Sequence, residues 1–317
     1  MSNMGATPPH GPTVTRNKDG TLNYRGATRD TWGSSKAGLT YVAGLTYGAG
    51  HATNGEIDET SANILAAGNG TSIFDPVLCE LAYLWFSPPG GLVLDPFAGG
   101  SVRGIVASKL GRQYIGHELR AEQVAANRIQ GDEICAEAEF PPAWITGDSR
   151  MLDKTCADVQ ADMIFSCPPY ADLEVYSADP LDLSTLPYAA FRAAYAEIIA
   201  KACSKLKQDR FACVVVGEVR DKMGNYVDFV GDTIQAFRDA GLEYYNEAIL
   251  ITAVGSLPIR VGRQFSISRK LGKTHQNVLV FVKGDGKRAA QACGTVEISD
   301  DCFAGVASDE GVAAESF

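Results

Sequence analysis

The stretch that most constrains this chain runs from Leu92 to Val106. An apolar run, Leu92-Val93-Leu94, ends in Asp95, passes Pro96-Phe97-Ala98-Gly99-Gly100-Ser101, and resumes at Val102 with helical spacing. The pattern predicts strand, tight loop, helix. Glycine lets a backbone turn sharply and come close to a ligand, and a helix start presents unpaired N–H groups. A loop of this kind therefore cradles a small, often anionic, ligand.

The surrounding chain repeats the alternation. Helical spacing over 76–86, with Pro76 in the first turn, stops at Ser87-Pro88-Pro89-Gly90-Gly91. Beyond the loop the patterns predict a helix over 102–110, a strand over 113–116 ending near Glu118, and a helix over 121–130. Trp144 and Ile145 precede Asp148, and an apolar run over 162–166 ends at Cys167-Pro168-Pro169-Tyr170. A helix over 188–206, a strand over 211–217, a helix over 227–240 and strands over 244–252 and 277–282 follow. Strands alternating with helices predict an α/β fold with a mostly parallel seven-stranded sheet and helices on both faces. Ligands in such folds sit at the carboxyl ends of the strands, where Asp95, Glu118, Asp148 and Cys167 fall. Residues 1–70, rich in Gly, Thr, Ser and Asn, read as a flexible arm; 71–284 as the α/β domain; and 285–317 as an acidic disordered tail.

The loop by itself does not name its ligand. A GxGxxG frame set on Gly99 and Gly104 meets Ser101 at its middle position, and no Gly-Lys-Ser/Thr follows, so dinucleotide and Walker-type loops are disfavoured. Glu118, at the end of the second strand, suits the ribose hydroxyls of a nucleoside-containing cofactor, or else simply opens the next helix. Asp148 suits an adenine amino group, or else caps the following turn.

Asp95-Pro-Phe-Ala-Gly-Gly-Ser101 followed by Cys167-Pro-Pro-Tyr170 resembles the paired signatures of the amino-group DNA methyltransferases, which methylate cytosine N4 or adenine N6. The resemblance covers about residues 72–284. It implies a Rossmann-like class I methyltransferase fold, S-adenosylmethionine as cofactor and double-stranded DNA as partner. It implies a cofactor site of Phe74, Asp75, Asp95, Phe97, Ala98, Gly99, Gly100, Ser101, Glu118 and Asp148. Cys167, Pro168, Pro169 and Tyr170 would then meet the target base, with proline-fixed carbonyls for its amino group and the Tyr170 ring for stacking.

Two departures stand out. The family's last loop glycine is Ser101, and the first residue of its second motif, usually Asp, Asn or Ser, is Cys167. Cysteine is nearest in size to serine, which is typical of the N4-cytosine members, so cytosine N4 is favoured and adenine N6 follows closely. The alternatives are an RNA or protein-glutamine N-methyltransferase, and a DNA-binding module that has lost catalysis.

Charge and cysteine usage bound the rest. A net charge of -10 argues against indiscriminate coating of nucleic acid. Yet 248–284 holds no acid, and the stretch 256–275 carries Arg260, Arg263, Gln264, Arg269, Lys270 and Lys273, a set suited to phosphates and base edges. The eight cysteines are scattered without metal-ligand spacing, which predicts reduced thiols and no metal. No leader or membrane-spanning run is evident, so the expectation is a cytoplasmic protein, with a homodimer left open.

Overall fold

The computed structural model describes residues 13–16, 22–25, 74–170, 177–251 and 257–296. The chain divides into two compact units, Met1–Ala37 and Gly38–Phe317. In the first, β1 (Thr13–Arg16) pairs antiparallel with β2 (Leu22–Arg25), Thr13 opposite Arg25. The arm reading thus missed a hairpin. Its intervening sequence contains Asn17, Asp19 and Gly20, residue types that favour tight turns.

The second unit holds α1 (Pro76–Phe86), β3 (Leu92–Asp95), α2 (Val102–Lys109), β4 (Gln113–Glu118), α3 (Ala121–Ile134), β5 (Ala143–Thr146) and α4 (Leu152–Thr155). β6 (Ala161–Ser166), α5 (Tyr188–Lys205), β7 (Leu206–Val216), α6 (Phe229–Asp239), β8 (Glu243–Ile251), α7 (Leu257–Ser268), β9 (His275–Lys283) and α8 (Gly286–Cys293) follow. The strands form one seven-stranded sheet in the order β5-β4-β3-β6-β7-β9-β8. All neighbours are parallel except β9, which runs antiparallel to both β7 and β8.

Period-two alternation buries both faces of the sheet. Ala212, Val214 and Val216 of β7 pack with Phe191, Tyr195, Ile198 and Phe237 from α5 and α6. Phe211, Cys213 and Val215 belong to the opposite core with Cys79, Tyr83, Ile105 and Val124 from α1, α2 and α3. Helices therefore cover both faces, as the apolar runs predicted. The strand order reverses beside β3, with β4 on one side and β6 on the other, so the loops leaving these strands flank a crevice.

Three local features differ from the sequence reading. β7 starts at Leu206, five residues earlier than its apolar run, because Lys207 Nζ (2.9 Å) and Arg210 Nε (3.1 Å) both reach the Asp162 carboxylate on the neighbouring strand. α7 occupies part of the basic stretch 256–275, to which the sequence reading assigned no helix. Its Gly262 and β-branched residues weaken helical propensity, although Pro258 sits in the first turn where it is tolerated. α8 lies in the stretch assigned to a disordered tail. The Asp285 side chain caps it by accepting from the Arg288 N–H, Ala289 and Cys293 are buried, and Gly294 at φ 83° ends it.

Candidate active site

The loop after β3 is held by a buried ionic hub. Asp95 is wholly buried and accepts from Arg103 Nε at 2.6 Å, Tyr114 Oη at 2.8 Å, Ser166 Oγ at 2.5 Å and its own loop's Phe97 N–H at 3.1 Å. Arg103, from the first turn of α2, also donates to the Phe97 and Ala98 carbonyls at 2.6 and 2.9 Å. Burial opposes the charge on Arg103, but the Asp95 carboxylate beside it more than offsets this, and the guanidinium is held more firmly protonated than a free one. Its other face lies 4.7 Å from the centre of the Phe74 ring. Asp95 thus ties β3, β4, β6 and α2 together at the point where the crevice opens.

The glycine turn is fixed from the other side by β4 and α3. Glu118 Oε2 accepts from the Gly99 N–H at 3.0 Å, and its Oε1 accepts from the Arg120 N–H at 3.0 Å. Burial pushes the Glu118 carboxyl up, against the pull of these N–H groups and the Arg120 charge. The Gly99 carbonyl accepts from the buried Asn127 Nδ2 at 2.7 Å. Gly99 has φ +50°, and neither Gly99 nor Gly100 would meet any atom within 4 Å if it carried a Cβ. Ser101, where the family signature has glycine, gives its hydroxyl to Gln130 Oε1. Its side chain is taken up by α3, and the backbone of the turn keeps open space beside it.

A third set of contacts joins β4 to the loop after β5. His117 is buried with Nδ1 3.1 Å from the Gly147 carbonyl and Nε2 2.9 Å from Thr155 Oγ1. A carbonyl can only accept, so Nδ1 carries the proton. Burial lowers the imidazole pKa, against the Gly147 carbonyl and the Asp148 charge. Ser149 Oγ donates to the Pro96 carbonyl at 2.6 Å, closing the ring of loops. Asp148 caps the turn beginning at Ser149 through the Arg150 N–H and pairs with the Arg150 guanidinium at 2.7 Å.

These loops surround a cavity of about 690 Å³, within the roughly 300–1,000 Å³ usual for small-ligand sites. Phe74, Asp75, Phe97, Gly99, Gly100, Ser101, Glu118 and Asp148 line it, and so do Cys167, Pro168, Pro169 and Tyr170. Two residues expected at the cofactor, Asp95 and Ala98, do not: both are wholly buried behind the loop. Asp75 has a structural duty too, capping α1 through the Val77 and Leu78 N–H groups. Glu118 and Asp148 likewise bond their own loops while lining the cavity.

At the far wall, the Tyr170 ring packs edge-on to Phe229 with centroids 6.0 Å apart. Its hydroxyl accepts from Gln276 Nε2 at 2.6 Å and lies 3.7 Å from Cys167 Sγ. Arg103, Asn127, His117 and Gln276 escaped the sequence reading. The signal for Arg103 was there, a cation in the first turn of a short, mostly apolar helix, within reach of a buried acid.

The expected nucleic-acid residues are spread around α7. The side chains of Arg260 and Arg263 lie outside the described residues, as do Asp172, Glu174 and Tyr176 beyond the second motif. Gln264 and Arg269 are exposed, the latter 5.1 Å over the Phe265 ring. Lys270 lies over Gly224, and Lys273 Nζ donates to Asn277 Oδ1 at 2.9 Å. Among the described residues there is no cluster of three or more potential metal ligands, and no helix is long and apolar enough to cross a membrane.

Residues 78–128 match the family model described as DNA methylase, which covers N6 and N4 methyltransferases. The chain is 41% identical over 69 residues to the type II methyltransferase M.Cfr9I of Citrobacter freundii, which is 21% of this chain and 23% of that protein. It is 40% identical over 64 residues to the type II methyltransferase M.SmaI of Serratia marcescens, 20% of this chain and 22% of that one. The matched part thus spans less than a quarter of the length of these curated relatives. TrmN from Thermus thermophilus aligns over 66% of this chain and 49% of its own, with TM-score 0.43 and 16% identity. The segment matched by the family model carries most of α1, the Asp95 loop, α2 and Glu118.

Proposed function

We propose that the chain moves a methyl group from S-adenosylmethionine to the exocyclic amino group of a base in double-stranded DNA, cytosine N4 ahead of adenine N6. The observation that carries this reading is the single cavity onto which both the 97–101 loop and the 167–170 motif open. The residues present fit the cofactor. The open space beside Gly99 and Gly100 admits a ligand close to the backbone, and carboxylates stand at two neighbouring strand ends. Glu118 would take the ribose hydroxyls through Oε2 and Asp148 the adenine amino group through Oδ1, oxygens that accept from the Gly99 and Arg150 N–H groups and keep a second lone pair. When bound, the cofactor supplies an electrophilic methyl group.

The remaining chemistry belongs to the chain. An exocyclic base nitrogen is a poor nucleophile because its lone pair is delocalised into the ring. Acceptors that take its N–H hydrogens localise that pair, and the backbone around Pro168 and Pro169 holds carbonyls at fixed angles to do so. Cys167 contributes a sulfur, a weaker partner than the usual carboxylate or amide. Tyr170 offers its ring to a base taken out of the stack, worth about 1–3 kcal/mol on single-strand stacking platforms. Holding nitrogen and methyl in line is then a proximity effect, and the methylated nitrogen sheds its surplus proton to solvent, so no side chain need act as general base. Arg260, Arg263, Gln264, Arg269, Lys270 and Lys273 would meet phosphates and base edges from the connection between β8 and β9.

Purified chain given cofactor with a labelled methyl, and DNA, RNA and protein acceptors in competition, is expected to label DNA, with N4-methylcytosine in the nucleoside digest. Label in RNA or protein with none in DNA would sink the substrate assignment. Glu118→Ala is expected to weaken cofactor binding about 10-fold by calorimetry, the loss of a charged hydrogen-bond acceptor. An unchanged affinity would remove Glu118 from the cofactor site.

A further inference from the structure

The antiparallel strand β9 does something no parallel strand of this sheet can do. Parallel strands bring their carboxyl ends to the site, whereas β9 brings its beginning. His275 and Gln276 therefore arrive at the same edge as Cys167 and Glu118. Gln276 lines the cavity, its Cγ lies over Gly217 at the end of β7, and its Nε2 reaches the Tyr170 hydroxyl at 2.6 Å across 106 residues of sequence.

We propose that Gln276 is a positioning residue for the target base, acting through Tyr170. This rests on the reading of Tyr170 as the stacking surface. An amide N–H can only donate, so the phenol oxygen accepts from Gln276 and its own hydrogen is directed elsewhere. The sulfur of Cys167, 3.7 Å away, is placed to receive it. The amide thus does two things at once. With the edge-on contact to Phe229 it fixes the tilt of the Tyr170 ring, and through the phenol it sets the orientation of the thiol at the head of the motif. A short contact of this kind suits a motif whose leading residue is a weak hydrogen-bonding cysteine, because the support then comes from β9 rather than from residue 167.

The test is a double-mutant cycle on the full chain, with unmethylated plasmid DNA and S-adenosylmethionine, beside fluorine NMR of protein carrying 3-fluorotyrosine. Gln276→Leu and Tyr170→Phe are each expected to lower kcat/KM for DNA by about 10-fold, the size of one hydrogen bond, with cofactor affinity unchanged. The double variant should be no worse than either single one, because both remove the same contact. The fluorine resonance lost in Tyr170→Phe should shift in Gln276→Leu. A wild-type rate in Gln276→Leu, a multiplicative loss in the double variant, or an unmoved resonance overturns the proposal. If the resonance moves while wild-type protein labels no DNA, the contact stands and the substrate reading is what fails.

Discussion

Tyr170→Ala is expected to cut methyl transfer to DNA by about 100-fold or more while leaving the affinity for S-adenosylmethionine within about twofold. The first part follows from stacking, which at about 1–3 kcal/mol accounts for roughly 5- to 150-fold, and from the loss of alignment once the base can tilt. The second part follows from geometry. Tyr170 leans on Phe229 and is bonded to Gln276 of β9, whereas Gly99 and Glu118 belong to the ends of β3 and β4, on the other side of β6 in the sheet. Single-turnover transfer and calorimetry on the same preparation separate the two. Equal loss of both would move Tyr170 into the cofactor half of the cavity, and full transfer would place the base elsewhere.

Arg103→Leu is expected to destabilise the fold by about 3–5 kcal/mol, the usual cost of leaving a buried charge without its partner. Asp95 has no exposed surface, so it cannot recover water when the guanidinium leaves. The Phe97 and Ala98 carbonyls lose their donors in the same step. Urea unfolding measures the effect, and adding Asp95→Asn to Arg103→Leu should recover part of it, because the orphaned charge is gone. A wild-type unfolding midpoint in Arg103→Leu would show that the hub contributes no net stability. The substitution should also weaken cofactor binding, since the loop that Arg103 ties down forms one wall of the cavity.

Much of the fold was legible because its strands are apolar on both faces and its loops carry Gly and Pro. β3, β6 and the buried half of β7 follow from such runs. The limits of that reading were polar or weakly patterned segments that tertiary contacts organise. The first residues of β7 are charged and become strand only because Asp162 faces them. α7 carries glycine and branched residues that a local propensity argument discounts. In the site, motifs at strand ends were visible, and most of their side chains do line the cavity. Asp95 was visible as a residue but not as a buried hub, because burial depends on partners 8, 19 and 71 positions away. Gln276 carried no signal, since the rule that sites gather at carboxyl ends of strands passes over the one strand that runs the other way.

The same reversal has a consequence for the order of synthesis. β8 pairs, among the described residues, with β9 only, and β9 enters between β7 and β8. During translation β8 is therefore made before there is a place for it, and the open edge of β7 waits until residue 283 has emerged. The half of the molecule built around Asp95 and Glu118 has all its strands by Ser166, more than a hundred residues earlier. A nascent chain would thus assemble one wall of its cavity first and acquire the other with its final strand, and only then would the amide that steadies Tyr170 arrive.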